Sequence, residues 1–321
     1  MSEQLRAAVV GAAGIGKYHA QWYAAEGCEV VGFVGTSPES VAQTSEALRS
    51  LLGFEVRGYT SLDEMLRREK PHCVSICTPP DRHAESAVPA LLAGAHVLCE
   101  KPLLWNEALD PDLVISKASE IVRTAREQGR VLAVNTQYAA ALEPFRRLYE
   151  DVVAPLGEVR SLLFEMESKG NRRGPNEYTA IWRELGPHAL SLVLAMLPRG
   201  TIDYGSLETS MDRDHVNVRF RWVCEDAPPC DVTFLTSCVR EGQPKRRFGI
   251  NGFDVDIGAV REDGVYKTVL RRGDMEVRCE DLVRVSIRRF IGAVRGEGTP
   301  LADGNTGLRN LELQLQVLKA L

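Results

Sequence analysis

The sequence predicts an α/β protein of two domains: a doubly wound parallel sheet over residues 1–133, then an α/β domain on a mostly antiparallel sheet over residues 134–321. Three observations predict this. A chain of 321 residues is too long for one ordinary core, and two domains are expected. In the first part, short runs that are apolar along their whole length alternate with helical periodicity, the pattern of a parallel sheet covered on both faces. Beyond Asn135, apolar and polar residues trade places with period two, as in a sheet with one wet face.

In order, LRAAVVGAAG reads as strand then turn, and IGKYHAQWYAAEG as a helix ending at Gly27. CEVVGFVG is a second strand, and PESVAQTSEALRSLLG a helix with Pro38 in its first turn, where a missing N–H costs nothing. EVRGYT is a short strand; SLDEMLRR opens with Ser61 and Glu64 in capping-box spacing. HCVSICTPP is a buried strand, HAESAVPALLAGA a helix with an interior proline, and HVLCEKP the next strand. A helix around Leu113–Gln128 and the strand RVLAVNTQ complete the series. The second part opens with a helix around Glu143–Asp151. Six alternating stretches follow: GEVRSLLFEMES, TIDYGSLETS, HVNVRFRWV, CDVTFLTSCV, RRFGINGFDVDIG and GVYKTVLRR. Helices over Asp281–Arg295 and Leu308–Leu321 close the chain.

Composition excludes several classes. The formal charge is −5, which argues against nucleic acid or an anionic membrane as partner. Arg pairs such as Arg172-Arg173 and Arg246-Arg247 are scattered and read as solvated faces. No apolar run is long enough to cross a bilayer, and MSEQLRAAVV lacks a charged-then-apolar leader pattern, so a cytoplasmic protein is expected. The 8 Cys form no CxxC pair, and several lie in apolar strands like reduced core thiols; no metal site is expected.

VVGAAGIGKYHA follows the first strand and opens the first helix, the context in which a glycine motif has meaning. In G-x-G-x-x-G register, Gly11 allows the tight turn and Gly16 the close helix–strand packing. Ala13 stands at the middle position, with Gly14 and Ile15 after it. Dinucleotide binding is the favoured reading over a generic turn. The second strand ends on Gly35, Thr36 and Ser37, where an NAD site places an acid for the ribose 2′-hydroxyl. Without that carboxylate nothing repels a 2′-phosphate and two hydroxyls can donate to one, so NADP is favoured over NAD.

Strand ends line the ligand crevice of an open α/β sheet. Two of them carry chemistry-capable sequence. Thr78-Pro79-Pro80 ends one strand, with His83 opening the next helix, and Glu100-Lys101-Pro102 ends another; Thr78, Pro79 and His83 are expected to touch the cofactor, with a helix cap as the other reading of His83. Further on, WRELGPHALS sets Glu184 and His188 four apart across a Gly-Pro, just ahead of an apolar helix expected near Pro187. A carboxylate against an imidazole fixes its tautomer and raises its basicity.

With GAAGIGKYHA, TPPDRHAE, CEKP, NTQYAAALEPF, ELGPHALSLV and the terminal DGNTGLRNLELQLQVL in this order, the chain resembles the Gfo/Idh/MocA family of NAD(P)-dependent oxidoreductases. The resemblance spans nearly the whole length. It implies a Rossmann domain followed by an α/β domain with a large open sheet, hydride transfer on sugars, cyclitols or related polar metabolites, and a homodimer or homotetramer formed through the sheets. It implies that Lys101 is the active-site lysine, His188 the general acid/base and Glu184 its orienting carboxylate. Glu100 is expected on the nicotinamide side, and Gln137, Tyr138, Arg172, Trp182, Arg183 and Ser191 around the substrate. Three departures set the chain apart. Ser191 stands where a substrate-anchoring Asp is common, Glu184 where Asp is common, and Gln137 where Arg is common. They point to a substrate other than plain inositol or glucose. Alternatives are a redox-neutral enzyme with retained NAD (an epimerase, dehydratase or glycosidase), an imine reductase, and a non-catalytic dinucleotide sensor.

Overall fold

The computed structural model describes residues 4–169, 177–262 and 265–320. By contacts the chain divides into two compact units, Met1–Thr136 with Val283–Leu311, and Gln137–Leu282 with Glu312–Leu321.

The first unit holds six parallel strands: β1 (Arg6–Val10), β2 (Glu29–Val34), β3 (Gly58–Tyr59), β4 (Cys73–Ile76), β5 (His96–Glu100) and β6 (Leu132–Asn135). Their order, β3-β2-β1-β4-β5-β6, reverses direction between β1 and β4, the switch point at which open α/β sheets bind ligands. β1 and β4 are buried along almost their whole length, as continuous apolar runs require. The connecting helices are α1 (Gly16–Ala25), α2 (Pro38–Leu52), α3 (Leu62–Glu69), α4 (His83–Leu92) and α5 (Pro111–Glu127). Local chemistry sets their ends. Ser37 caps α2 by accepting from the Ser40 N–H, Pro38 is its first residue, and Gly53 closes it at φ 79°. Ser61 caps α3, but the Glu64 carboxylate of the expected capping box pairs with Arg68 at 2.9 Å.

The second unit adds α6 (Leu142–Val152) and α7 (Glu177–Met196) to an eight-stranded sheet. Its strands are β7 (Ser161–Lys169), β8 (Thr201–Met211), β9 (His215–Val223), β10 (Cys230–Val239), β11 (Arg246–Ile250), β12 (Phe253–Glu262), β13 (Val265–Arg272) and β14 (Met275–Glu280). The order is β14-β13-β12-β11-β7-β10-β9-β8, antiparallel except for β10 against β7. Two strand expectations need correction. RRFGINGFDVDIG is a hairpin, β11 and β12, because Asn251 (φ 53°) and Gly252 (φ 77°) form a tight turn that only such residues adopt without strain. MEVRCE, expected as no element, is the edge strand β14.

The closing helices are α8 (Leu282–Val294) and α9 (Gly304–Lys319). The latter starts four residues earlier than expected, because the Asp303 carboxylate accepts from the Thr306 N–H. α8 belongs to the first unit: Val283, Ile287, Phe290 and Ile291 join the cluster of Val9, Trp22, Tyr23 and Phe33. The sequence reading ended that unit at residue 133 and gave it no C-terminal helix. Amphipathicity marks α8 as packed, but not on what it packs. No helix among the described residues is long and apolar enough to cross a membrane.

Candidate active site

In the first unit the glycine turn has the shape a dinucleotide needs. Gly11 adopts φ +85°, and a Cβ there would stand 2.7 Å from the Cys77 carbonyl oxygen. A Cβ on Gly16 would meet the Val9 side chain at 2.9 Å, so only glycine lets α1 sit this close to β1. Gly14 has open space around it, and Ala13, Gly14 and Ile15 form an exposed lip ahead of α1, whose start no side chain caps. Across the switch point, the Thr78 hydroxyl is buried with no hydrogen-bond partner among the described residues. Open glycine lip, uncapped helix start and orphaned hydroxyl together fit a dinucleotide. Pro79, beside Thr78, precedes the short turn that leads into α4.

At the end of β2, Thr36 is exposed while Ser37 is occupied as the cap of α2. The Ser37 side chain also bonds the Glu39 carboxylate and, with Glu39's own backbone N–H, holds it below its ordinary pKa.

Lys101 follows β5 directly and is half-buried; the Lys101–Pro102 peptide is cis. Glu100 is turned inward, into a polar network within the unit. Its carboxylate lies 3.1 Å from His19 Nε2, accepts from Asn135 Nδ2 at 2.5 Å, and receives the Lys101 backbone N–H at 3.3 Å. His19, on α1, is completely buried, and its Nδ1 lies 3.0 Å from the Ser75 hydroxyl, which in turn meets the Tyr23 hydroxyl at 3.0 Å. Burial alone would raise the Glu100 pKa, but His19, Lys101 and Asn135 outweigh it and hold the carboxyl ionised. His19 is thus the buried partner of the residue before the lysine. Only the fold brings 19 and 100 together.

His83 serves the scaffold. Its ring is fully buried, with Nε2 2.9 Å from the Thr78 carbonyl and Nδ1 3.0 Å from that of Pro102. Burial lowers its pKa, so the imidazole stays neutral, with one N–H for two carbonyls. The ring sits between the β4 turn and the β5 turn and donates its single N–H to one of these carbonyls, a different place from the cofactor contact expected of it.

In the second unit, Glu184 and His188 lie on α7, which runs without a break through Pro187. No new helix begins there, contrary to the sequence expectation. A continuous helix places i and i+4 on one face with Cβ atoms about 5–6 Å apart. His188 is buried and packs edge-on against Tyr138 at 4.8 Å between ring centroids. Tyr138 in turn meets Phe164 of β7 at 6.0 Å.

Two expected substrate residues take other places. Trp182 is fully buried and donates from its indole N–H to the Gln314 carbonyl of α9, and a Cβ on Gly186 would stand 3.0 Å from its ring. It is a core residue. The Ser191 hydroxyl donates to the His188 carbonyl at 2.7 Å, a bond within its own helix. Gln137 and Arg183 are half-buried. Arg172 lies outside the described residues.

Arg246, exposed at the start of β11, received no role from sequence, yet its charge acts on Tyr138. Burial raises the Tyr138 pKa, and the charge of Arg246, then hydrogen bonding with Gln137 and Arg246, oppose that rise. Strand pairing, invisible in one sequence, brings 246 to 138.

Comparison with known proteins agrees with this architecture. A family model described as the oxidoreductase family, NAD-binding Rossmann fold, matches residues 5–136. The chain is 34% identical to a 1,5-anhydro-D-fructose reductase of Ensifer adhaerens over 318 residues, covering 92% of this chain and 90% of that one. It is 35% identical to an Escherichia coli D-glucoside 3-dehydrogenase over 160 residues, 49% of this chain and 42% of that one. A UDP-N-acetylglucosamine 3-dehydrogenase of Acidithiobacillus ferrooxidans is 26% identical over 98% of this chain and 96% of its own length. That enzyme's solved structure superposes with a TM-score of 0.72 at 23% identity over 100% of this chain and 98% of that one. The chain belongs to the Gfo/Idh/MocA family of oxidoreductases, with an NAD-binding Rossmann unit at its N-terminal end.

Proposed function

We propose that the protein transfers a hydride between nicotinamide and a hydroxyl/carbonyl carbon of a sugar, cyclitol or related polar metabolite, with Lys101 and His188 handling the proton. One observation carries the reading: in the sheet whose switch point bears the open glycine lip, Lys101 directly follows β5. The sugar-derivative names of the three relatives support the substrate class.

Gly11, Ala13, Gly14, Ile15 and Gly16 would hold the pyrophosphate at the start of α1, with Thr36 and Ser37 toward the adenosine ribose and Thr78 and Pro79 along the crevice. Nicotinamide, when bound, supplies or accepts the hydride. The Lys101 ammonium donates to the reacting oxygen and stabilises negative charge on it. His188, its tautomer fixed by the Glu184 carboxylate one turn before, gives or takes the proton. Gln137, Tyr138 and Arg183 belong to the substrate side. NADP(H) is favoured over NAD(H), because β2 ends without a carboxylate to repel a 2′-phosphate, although the capping duty of Ser37 leaves Thr36 as the more accessible hydroxyl.

The test is direct. Any nucleotide carried by the purified protein is extracted and identified, and nicotinamide absorbance is then followed with NADPH or NADH and a panel of sugars and keto-sugars. Lys101→Ala and His188→Ala should each lower kcat by about 10²–10⁴. Turnover within a few-fold of the parent removes both assignments. Conversion of substrate with no net absorbance change, on a cofactor that never leaves, marks a redox-neutral enzyme instead.

A further inference from the structure

His19 is a titratable group sealed inside the first unit. It lies on α1, about one helical turn after Gly16, and its ring meets one residue from each of three strands. These are Ser75 of β4, Glu100 of β5 and Asn135 of β6. The helix itself is seated firmly, because a Cβ on Gly16 would stand 2.9 Å from the Val9 side chain of β1.

The chemistry of the partners orients the ring. Glu100, held ionised, can only accept, so Nε2 carries a proton and donates it to Oε1 at 3.1 Å. In the neutral ring Nδ1 then accepts from the Ser75 hydroxyl at 3.0 Å, and that oxygen accepts from the Tyr23 hydroxyl at 3.0 Å. Asn135 Nδ2 donates to the same Oε1 at 2.5 Å, while its own Oδ1 is buried with no partner among the described residues. Both core donors therefore converge on Oε1, and Oε2 receives the Lys101 N–H at 3.3 Å. A buried carboxylate held in this way adds little net stability over apolar packing of the same volume, and the unanswered amide oxygen costs more. What the network achieves is geometric. One oxygen of Glu100 is fixed by the core, and the other holds the backbone of the residue that carries the amine.

We propose that His19 is a positioning residue for Lys101, acting through Glu100, so that the helix opening at the glycine lip also fixes the turn that carries the lysine. The inference rests on the role proposed for Lys101 and adds the device that keeps its amine at one distance from the dinucleotide. Misplacing a reacting group by about 1 Å can lower a rate roughly 10²-fold.

The test compares two amides at position 19 in the full-length protein. Gln reaches as far as Nε2 and can still donate to Glu100. Asn reaches only as far as Nδ1 and can answer Ser75 but not the carboxylate. With the cofactor and sugar that the parent turns over best, His19→Asn should lower kcat about tenfold to a hundredfold, with KM for the sugar within about threefold. His19→Gln should recover most of that loss. A second readout needs no turnover. In protein with isotope-labelled lysine side chains, the Lys101 Cε resonance, assigned by its loss in Lys101→Arg, should move in His19→Asn and stay near the parent position in His19→Gln. Glu100→Gln keeps an acceptor for the ring but turns an NH2 against the Lys101 N–H, so it should move the resonance and lower kcat as well. Rates and spectra are taken well below each variant's own thermal transition, which keeps loss of fold apart from loss of position; if His19→Asn does not fold, Glu100→Gln decides alone. Equal effects of Asn and Gln, a Lys101 resonance unmoved in His19→Asn or in Glu100→Gln, or a moved resonance with kcat unchanged overturns the proposal. A Lys101 resonance that answers to position 19 in a protein that turns over no sugar keeps the coupling and removes the oxidoreductase reading. Turnover that needs Lys101 but is indifferent to position 19 does the reverse.

Discussion

At the scale of single residues, the site depends on buried charge placed where it can be answered. Glu100 is kept ionised below the surface by His19, Asn135 and the Lys101 N–H, so removing His19 leaves a carboxylate in the core with too few donors. His19→Ala should destabilise the protein by about 3–5 kcal/mol, measured by urea unfolding. Adding Glu100→Gln to it should restore part of that loss, because an amide tolerates burial better than an orphaned charge. No restoration would mean that the pair contributes only packing. Residue chemistry was legible where the backbone itself demands a residue type. Gly11 at φ +85° and Gly16 against Val9 sit where the glycine spacing put them. It was illegible for His83, Trp182 and Ser191. Nothing in their local sequence distinguishes a ring or hydroxyl facing a crevice from one bonded to a distant carbonyl or to its own helix.

At the scale of elements, β5 and β6 show how a strand edge converts a titratable residue into a pH-dependent joint. His96, on β5, accepts the Val131 N–H at its Nδ1. Burial first, then Arg130 and His72, lower its pKa from 6.5 to about 4. The sign follows directly. In the unfolded chain this imidazole takes a proton as pH falls through about 6.5, while in the folded chain it stays neutral until about pH 4. The unfolded state therefore binds more protons in that window, and stability drops as pH falls through it. His96→Asn should flatten this part of a Tm-against-pH curve between about pH 6.5 and 4, leaving the neutral-pH arm in place. A slope identical to the parent's would assign the acid loss to other groups. Element boundaries were legible where caps and prolines act locally, as at Ser37-Pro38 and Ser61. At Pro187 the local signal misled, because packing on Trp182 and the apolar positions around it sustains α7 through the proline.

At the scale of the whole molecule, the chain order and the structural units differ. The first compact unit takes back residues 283–311 after the second sheet has been built. α8 contributes Ile287 and Phe290, both fully buried, to the core beside Trp22 and Tyr23, and its Arg284 and Arg288 clasp Glu26 at 2.6 and 2.9 Å. Burying four large apolar side chains is worth roughly 6–12 kcal/mol, comparable to the total stability of a domain. Residues 1–136 expressed alone should therefore show no cooperative thermal transition by circular dichroism, and a chain that adds residues 283–311 through a flexible linker should regain one. A cooperative transition in the short fragment would show that α8 is dispensable. The sequence by itself determined the class of both sheets, the glycine turn and the position of Lys101 at a strand end, since periodicity, turn chemistry and strand-to-crevice order act over a few residues. Only the tertiary structure decided that His19 answers Glu100, that the charge of Arg246 acts on Tyr138 beside His188, and that α8 completes the first core. Those contacts join residues far apart in the chain, and a local pattern carries no information about which distant surface it will bury.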